Sequence, residues 1–179
     1  MKIFVVPRNY IEKRYDQNPD FVHSKYIISI FSTGDASPLP ERFNILQLQF
    51  DDITEKPEDE RAAEKFDLIF FNEDHAKKIH EFFDYIKDHQ NKPLFVHCDA
   101  GVSRSGAVGY MANEYFNKFL ELNRHDVEYF QIYNKHIMPN PLVVRLLKNE
   151  LFGNDYRGVF VNDYEYNEDG ERIDIVKEI

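Results

Sequence analysis

One segment of ten residues constrains the fold of this chain more than any other. Residues 97–106 read His-Cys-Asp-Ala-Gly-Val-Ser-Arg-Ser-Gly. The apolar run 93–96 before them predicts a buried strand, and the run 107–116 after them predicts a helix. A strand, a turn of small residues and a helix start together expose a row of backbone N–H groups, and such a row binds anions. The sequence therefore predicts an anion-binding loop within an α/β fold.

The residue types in this loop suit nucleophilic chemistry on a phosphate. Cys98 is the only cysteine, and a helix N-terminus together with Arg104 would favour its reactive thiolate form. Gly101 allows a positive φ, which lets successive amides point inward. The planar guanidinium of Arg104 can bind two phosphate oxygens at once. We expect Ser105 to donate a hydrogen bond to the sulfur, and His97 to orient the loop by hydrogen bonding rather than act as a base.

Size and composition fit one α/β domain of a reducing compartment. The chain has 179 residues, 42% of them hydrophobic, including 16 Phe and 11 Tyr. A single cysteine allows no internal disulfide, no apolar run reaches membrane-spanning length, and residues 1–7 are too short for a signal peptide. We expect a cytoplasmic protein. The net charge of −10 argues against a nucleic-acid or membrane partner, so a local positive site must capture phosphate.

The order of elements predicts a central, mostly parallel sheet flanked by helices. Strands are expected at 1–7, 26–31, 44–50 and before the loop, and amphipathic helices at 72–89, 126–136 and 142–152. The helix at 72–89 between two strands is the βαβ pattern, and Asn72 or Asp74 is expected to cap it. Residues 8–23 are expected to be irregular with a short helix. Residues 1–153 are predicted to form the catalytic domain, and 154–179 an appendage that is a β-hairpin around an Asp-Gly turn or an extended tail.

The loop resembles the signature of the cysteine-dependent protein tyrosine phosphatases, His-Cys followed by five residues and Arg-Ser. The chain is most similar to the dual-specificity-like branch, and within it to small bacterial tyrosine-phosphatase-like proteins. Their strand ends in a Phe-x-Asp-Ile pattern, which stands here at 50–53, and a Pro-Asn element follows the loop, which stands here at 139–140. The resemblance covers about residues 26–152, which is one domain.

The resemblance implies a metal-independent phosphatase that needs no cofactor. The Cys98 thiolate attacks phosphorus to give a phosphocysteine, while a carboxylic acid protonates the leaving oxygen and then activates water. His97 and Ser105 support the nucleophile. The Arg104 guanidinium and the loop amides hold the phosphate oxygens, which gives the phosphate-binding set Asp99, Ala100, Gly101, Val102, Ser103 and Arg104.

Three aspartates compete for the role of the general acid. Asp52 fits the Asp-Ile pattern at a strand end, where loops build the active sites of α/β proteins, and it is our first choice. It lies farther before the cysteine than is usual in the family, which an insertion around 61–70 would explain. Asp67 matches the usual spacing but stands in a weaker local context. Asp51 is expected to point to the opposite side of the strand from Asp52.

The loop composition favours phosphotyrosine or an aryl phosphate as the substrate, with phosphoserine and phosphothreonine as further candidates. The loop has no lysine and carries Asp99, so with the net charge of −10 a multiply phosphorylated substrate is disfavoured. Other interpretations stay open. The loop could belong to a rhodanese-like sulfurtransferase or an arsenate reductase, although their element orders differ. The chain could also be a phosphotyrosine-binding module with little turnover, or a protein whose acidic tail binds a partner.

Overall fold

The computed structural model describes residues 1–55, 67–89, 91–122, 124–153, 160–166 and 172–178. Its strands are β1 (Ile3–Pro7), β2 (Tyr26–Phe31), β3 (Ile45–Gln49), β4 (Leu94–Cys98), β5 (Phe160–Tyr166) and β6 (Arg172–Glu178). Its α-helices are α1 (Arg8–Gln17), α2 (Glu73–Ile86), α3 (Arg104–Ala112), α4 (Arg124–Tyr133) and α5 (Pro141–Phe152). A 3₁₀ segment spans Pro19–Ser24, and a π-helical segment, Asn113–Phe119, continues α3.

The predicted fold class is confirmed. Strands β1 to β4 form one sheet in the order β1-β4-β2-β3, and every neighbouring pair is parallel. The strand that leads into the loop is therefore central, and Pro7 at the end of β1 stands beside Cys98 at the end of β4. Because parallel strands end at the same edge, the segments that follow β1, β2, β3 and β4 converge there.

The larger core packs between one face of this sheet and the helices α2, α3 and α5. It contains the inward side chains of β4 together with Ile79, Phe83 and Phe116, which have no exposed surface. The opposite face has a smaller apolar cluster, in which Phe95 contacts residues of α1 and the 3₁₀ segment. The strand before the loop is thus buried on both faces, as the continuous apolar run requires.

Two helix starts follow from their capping residues. The Asn72 side chain accepts a hydrogen bond from the His75 amide, and the His75 ring accepts one from the Asn72 amide, so Asn72 is the cap of α2. His75 is half-buried, and its ring stacks against Phe71. The Asn140 side chain caps α5, with Pro141 as its first residue.

The region after β1 is more helical than the sequence suggests. Helix α1 begins directly after β1 and runs to Gln17. The pattern is hard to recognise because Ile11 is its only buried residue and no side chain caps its start. In the C-terminal region β5 and β6 pair in antiparallel fashion, and Tyr166 stands opposite Arg172. The expected Asp-Gly turn lies outside the described residues, and the division into domain and appendage stays a prediction.

Candidate active site

The loop 98–104 lies against the end of β1 at the shared strand edge. Gly101 has φ +74°, and a Cβ atom on it would stand 2.5 Å from the Pro7 nitrogen and 2.5 Å from the Val6 carbonyl carbon. Both the left-handed conformation and the close approach require a glycine. The loop is therefore held in its turn by the neighbouring strand.

Three carbonyl groups of the loop bind outward to surrounding segments. The Asp99 carbonyl accepts from the amide of Arg8 at 3.1 Å, the Val102 carbonyl from Met138 at 3.1 Å, and the Ser103 carbonyl from Asn140 at 3.3 Å. In a planar trans peptide the C=O and the next N–H point in opposite directions. The N–H groups of residues 100, 103 and 104 therefore point away from these partners, as the predicted anion-binding nest requires.

The predicted nucleophile stands at the base of the loop. Cys98 ends β4 and is buried, and its sulfur lies 3.1 Å from the hydroxyl oxygen of Ser105. Ser105 is fully buried in the first turn of α3. The structure thus brings together the thiol, the hydroxyl that can donate to it and the start of a helix.

The guanidinium of Arg104 is buried and held by three different segments. Its NH1 group donates to the Ser32 hydroxyl at 2.9 Å and to the Phe50 carbonyl at 2.8 Å, and its NH2 group donates to the carboxylate of Asp99. Its Nε is fully buried and has no hydrogen-bond partner among the described residues. The N–H of Nε is therefore available to a ligand within the loop.

The Asp99 carboxylate joins this arginine to helix α1. It accepts a hydrogen bond from the Ser32 hydroxyl at 3.0 Å, and its other oxygen lies 3.9 Å from NH1 of Arg8. Burial alone would raise the pKa of Asp99, but the hydrogen bond and charge of Arg104, with help from Ser32 and Arg8, lower it below its ordinary value. Asp99 is therefore ionised at neutral pH.

His97 is a buried, neutral residue. Burial, followed by the positive charge of Arg8, lowers its pKa to about 4, and a backbone interaction with Cys98 offsets this only partly. Neither ring nitrogen makes a side-chain hydrogen bond with the described residues. The interaction of the ring with the Cys98 backbone falls outside hydrogen-bond geometry, and the role of His97 in orienting the loop stays a prediction.

The three candidate acids occupy different environments. Asp52 is exposed, and its Oδ1 accepts from the Ser103 hydroxyl at 2.6 Å, so it touches the loop directly. Asp51 points elsewhere, to the amide and hydroxyl of Thr33 and the amide of Ile69. Asp67 is exposed with φ +51°, and within the described ranges no hydrogen bond joins it to the loop. Of the insertion expected around 61–70, residues 61–66 lie outside the described residues.

Asp51 is fixed in place by the groups that it binds. Burial raises the pKa of its carboxyl, but the hydrogen bonds from Thr33 and Ile69 outweigh this effect, and the net shift is downward. A carboxyl that is held ionised by three donors serves as a structural anchor between two loops rather than as a proton donor.

Three residues at the site were not predicted from the sequence: Ser32, Arg8 in its contact with Asp99, and Asn140 in its contact with Asp52. Asn140 donates to Oδ1 of Asp52 at 2.8 Å and to the Ile53 carbonyl at 3.1 Å. A serine directly after an apolar strand is a weak signal for a site residue, since strand ends meet at the same edge. The Pro-Asn element was recognised, but its partner lies 88 positions earlier in the chain.

Residues 62–129 match the family model described as "DSP-PTPase phosphatase fused to NAD+ Kinase". The matched segment includes the loop and Asp67, but it begins after Asp51 and Asp52. It therefore bears on the loop and not on the choice between the first two acids. No curated protein matches the sequence.

The comparison with solved structures finds several that are similar to this chain. The human tyrosine phosphatase-like serine/threonine/tyrosine-interacting protein is 22% identical with a TM-score of 0.52, over 82% of this chain and 89% of that one. The Cydia pomonella PTP-2 phosphatase is 16% identical with a TM-score of 0.49, over 99% and 94% of the two chains. Human DUSP28 is 14% identical with a TM-score of 0.49, over 83% and 90%.

The family model confirms the resemblance to the dual-specificity-like branch of the cysteine-dependent protein tyrosine phosphatases over residues 62–129, and the human tyrosine phosphatase-like protein shares the fold. The four-stranded parallel sheet with flanking helices is the fold of these proteins. Within the part of the chain that the structure describes, no helix is both long enough and apolar enough to cross a membrane.

Proposed function

We propose that this protein hydrolyses phosphomonoesters, with phosphotyrosine as the preferred substrate, through a phosphocysteine intermediate. The observation that carries the proposal is the arrangement at residues 98–105. A buried cysteine sulfur lies 3.1 Å from the hydroxyl of Ser105, and the buried Arg104 retains an unpaired Nε. A thiol, a hydroxyl donor and a cation within one anion-binding loop are the components that phosphoryl transfer to sulfur needs.

Each step of the proposed reaction is assigned to one residue or more. The thiolate sulfur of Cys98 forms a bond to phosphorus, and the bond from phosphorus to the leaving oxygen breaks as Asp52 gives that oxygen a proton. The ionised Asp52 then takes a proton from water, which attacks phosphorus and releases the sulfur as a thiolate, to which Ser105 donates. Arg104 and the amides of 99–104 bind the phosphoryl oxygens throughout. Since this set supplies the positive charge, the proposal requires no metal or cofactor.

Asp52 is proposed as the acid because it is the candidate that touches the loop. Its side chain is bound to Ser103 of the loop, whereas Asp51 is bound to Thr33 and Ile69. The buried His97 has a pKa of about 4 and is neutral at the pH of the reaction. It is therefore not proposed as an acid or a base.

The substrate class follows from the charges around the loop. Asp99 is the only charged residue of the loop besides Arg104, and the chain carries a net charge of −10. A second phosphate near the loop would meet these negative charges, which favours singly phosphorylated substrates. The proposed partner is a phosphorylated protein. The free cysteine, Cys98, is consistent with a reducing, cytoplasmic setting.

The proposal is tested by hydrolysis of p-nitrophenyl phosphate and of a phosphotyrosine peptide across pH, with a metal chelator present. The variants Asp51→Asn, Asp52→Asn and Asp67→Asn are assayed beside the wild type. We expect Asp52→Asn to lose the decline in rate at high pH that reports the acid, and Asp67→Asn to retain it. Binding of the peptide without any turnover would refute the enzyme and leave a recognition module.

A further inference from the structure

The terminal edge of the Arg104 guanidinium, formed by NH1 and NH2, is bound by two acceptors that also bind each other. NH1 donates to the Ser32 hydroxyl, NH2 donates to Asp99 Oδ2, and the Ser32 hydroxyl donates to that same Oδ2 at 3.0 Å. Two acceptors in mutual contact, one on each terminal nitrogen, lie side by side along the edge that NH1 and NH2 share. Asp99 and Ser32 therefore form one acceptor surface for that edge.

The remaining donors of Arg104 lie along the other edge. A guanidinium has five N–H groups, and NH1 uses its second one on the Phe50 carbonyl at 2.8 Å. What remains is the N–H of Nε and the NH2 hydrogen beside it. Nε is buried and has no partner among the described residues. These two parallel donors match two oxygens of a phosphoryl group.

Asp99 is itself fixed from the side of β1 and α1. Its carbonyl accepts from the amide of Arg8, the first residue of α1, and Arg8 NH1 lies 3.9 Å from its Oδ1. Arg8 is in turn held by Glu12 at 2.8 Å and by Asp35 at 3.5 Å. These contacts with Arg8 fix the position of the Asp99 carboxylate, which binds Arg104.

We propose that Asp99 is a positioning residue, which together with Ser32 holds the terminal edge of Arg104 and so presents the Nε edge to the phosphoryl group. This inference rests on the proposed function for its kinetic part only, because the binding of an oxyanion can be measured without turnover. The proposal explains why a phosphate-binding loop carries an acidic residue, Asp99, although its negative charge offsets the positive charge of Arg104. A free arginine side chain has many rotamers, and fixing one of them removes an entropic cost from binding.

The opposing view is that Asp99 acts as a competing anion, and the two views predict opposite results. If the carboxylate competes with phosphate for Arg104, then its removal strengthens the binding of oxyanions. If it positions the guanidinium, then its removal weakens binding. Asp99→Ala removes the charge and the acceptor together, whereas Asp99→Asn removes the charge but keeps an oxygen that NH2 can bind.

The experiment measures the affinity for inorganic phosphate by titration calorimetry, in the wild type, Asp99→Ala, Asp99→Asn and Ser32→Ala. Asp35→Ala is the matched control, since it removes a carboxylate beside Arg8 that does not touch Arg104. We expect affinity to fall roughly tenfold in Asp99→Ala, the size of one lost hydrogen bond to a charged group. Asp99→Asn should retain most of the affinity, Ser32→Ala should lose part of it, and Asp35→Ala should match the wild type. Unchanged or tighter binding in Asp99→Ala would overturn the proposal.

Steady-state kinetics on p-nitrophenyl phosphate give a second readout. Asp99→Ala should raise KM and lower kcat, because Arg104 binds the phosphoryl oxygens in both the ground state and the transition state, and Asp99→Asn should restore most of kcat/KM. If the wild type and the variants show the expected order of phosphate affinities but the wild type does not hydrolyse substrate, the proposed function is refuted and the role of Asp99 remains supported. Equal kinetic losses in Asp99→Ala and Asp99→Asn would show that charge rather than position matters, and would contradict the proposal.

Discussion

The side chain of Asn140 donates a hydrogen bond to Oδ1 of Asp52 at 2.8 Å, across 88 positions of the sequence. The same oxygen accepts from the hydroxyl of Ser103 at 2.6 Å, so the proposed acid is tied both to the phosphate-binding loop and to the segment before α5. Both bonds reach Oδ1, which leaves Oδ2 as the oxygen that can carry the proton. Asn140 is buried and also caps α5.

Two substitutions of Asn140 separate its role as the cap of α5 from its hydrogen bond to Asp52. Asn140→Ala removes the cap and the bond to Asp52, and we expect a loss of about 1 kcal/mol in the free energy of unfolding together with lower kcat/KM. Asn140→Ser keeps a capping oxygen but is too short to reach Asp52, so it should retain stability and still lose activity. Urea denaturation and p-nitrophenyl phosphate assays measure the two effects. Full activity in Asn140→Ser would contradict the role in placing the acid.

The loop should not tolerate a side chain at Gly101. Gly101→Ala places a Cβ 2.5 Å from backbone atoms of β1 in a left-handed conformation, and we expect a loss of at least about 2 kcal/mol from strain and overpacking. Gly34→Ala is the matched control, since Gly34 has φ +84° with no atom within 4 Å of the added Cβ. It should cost only about 1 kcal/mol. Equal losses in the two variants, measured by urea denaturation, would contradict the close packing of loop and strand.

The buried His97 should make the protein less stable in mild acid. Its pKa is about 4 in the folded state and about 6.5 in an unfolded chain. As the pH falls, the unfolded state therefore binds a proton at His97 before the folded state does. The stabilisation associated with neutral His97 is complete above pH 6.5 and is lost as the pH falls toward 4. The loss at the low end is on the order of 3 kcal/mol.

The replacement His97→Phe provides the comparison, because it keeps an aromatic ring and cannot titrate. The free energy of unfolding is measured by urea denaturation at pH 7 and at pH 4.5 for both proteins. Wild type should lose more stability between these two pH values than His97→Phe does. The same loss in both would show that His97 does not titrate as the buried environment requires.

Asp51 should matter for stability more than for chemistry. Its pKa is lowered in the folded state by the groups that bind it, so its contribution is present above the unfolded value of about 3.9 and is lost as the pH falls through the folded value. Asp51→Asn should therefore be less stable than wild type at pH 7, with the difference shrinking below about pH 4. Asp67→Asn, at an exposed position, should match the wild type throughout. A stability difference for Asp51→Asn that is constant with pH would count against its ionised, anchoring state.

The parts of the site that were predictable are local in sequence. The loop 97–106, its strand and its helix are continuous, so one stretch specified the residues and the fold around them. Asp52 could be predicted because it closely follows β3, a strand of the same parallel sheet. Asn72 could be predicted as a cap because capping depends on neighbours within one turn.

The unpredicted parts depend on contacts between distant segments. Ser32, Asn140 and Arg8 reach the loop from three separate segments, which the sheet order β1-β4-β2-β3 and the packing of α5 against α3 bring together. The burial that lowers the pKa of His97 is equally a property of the packed structure. The helix α1 was missed because its amphipathic pattern is weak, with one buried residue in ten.

The central claim is that Cys98 carries the phosphoryl group, and the most direct measurement is mass spectrometry of the protein quenched during turnover of p-nitrophenyl phosphate. Asp52→Asn should accumulate the intermediate, because it lacks the base for the second step while this leaving group needs little acid catalysis in the first. The account predicts one added phosphoryl group on the peptide that contains Cys98, and none in Cys98→Ser, which should also be inactive. Turnover that persists in Cys98→Ser, with no adduct on that peptide in Asp52→Asn, would contradict the account.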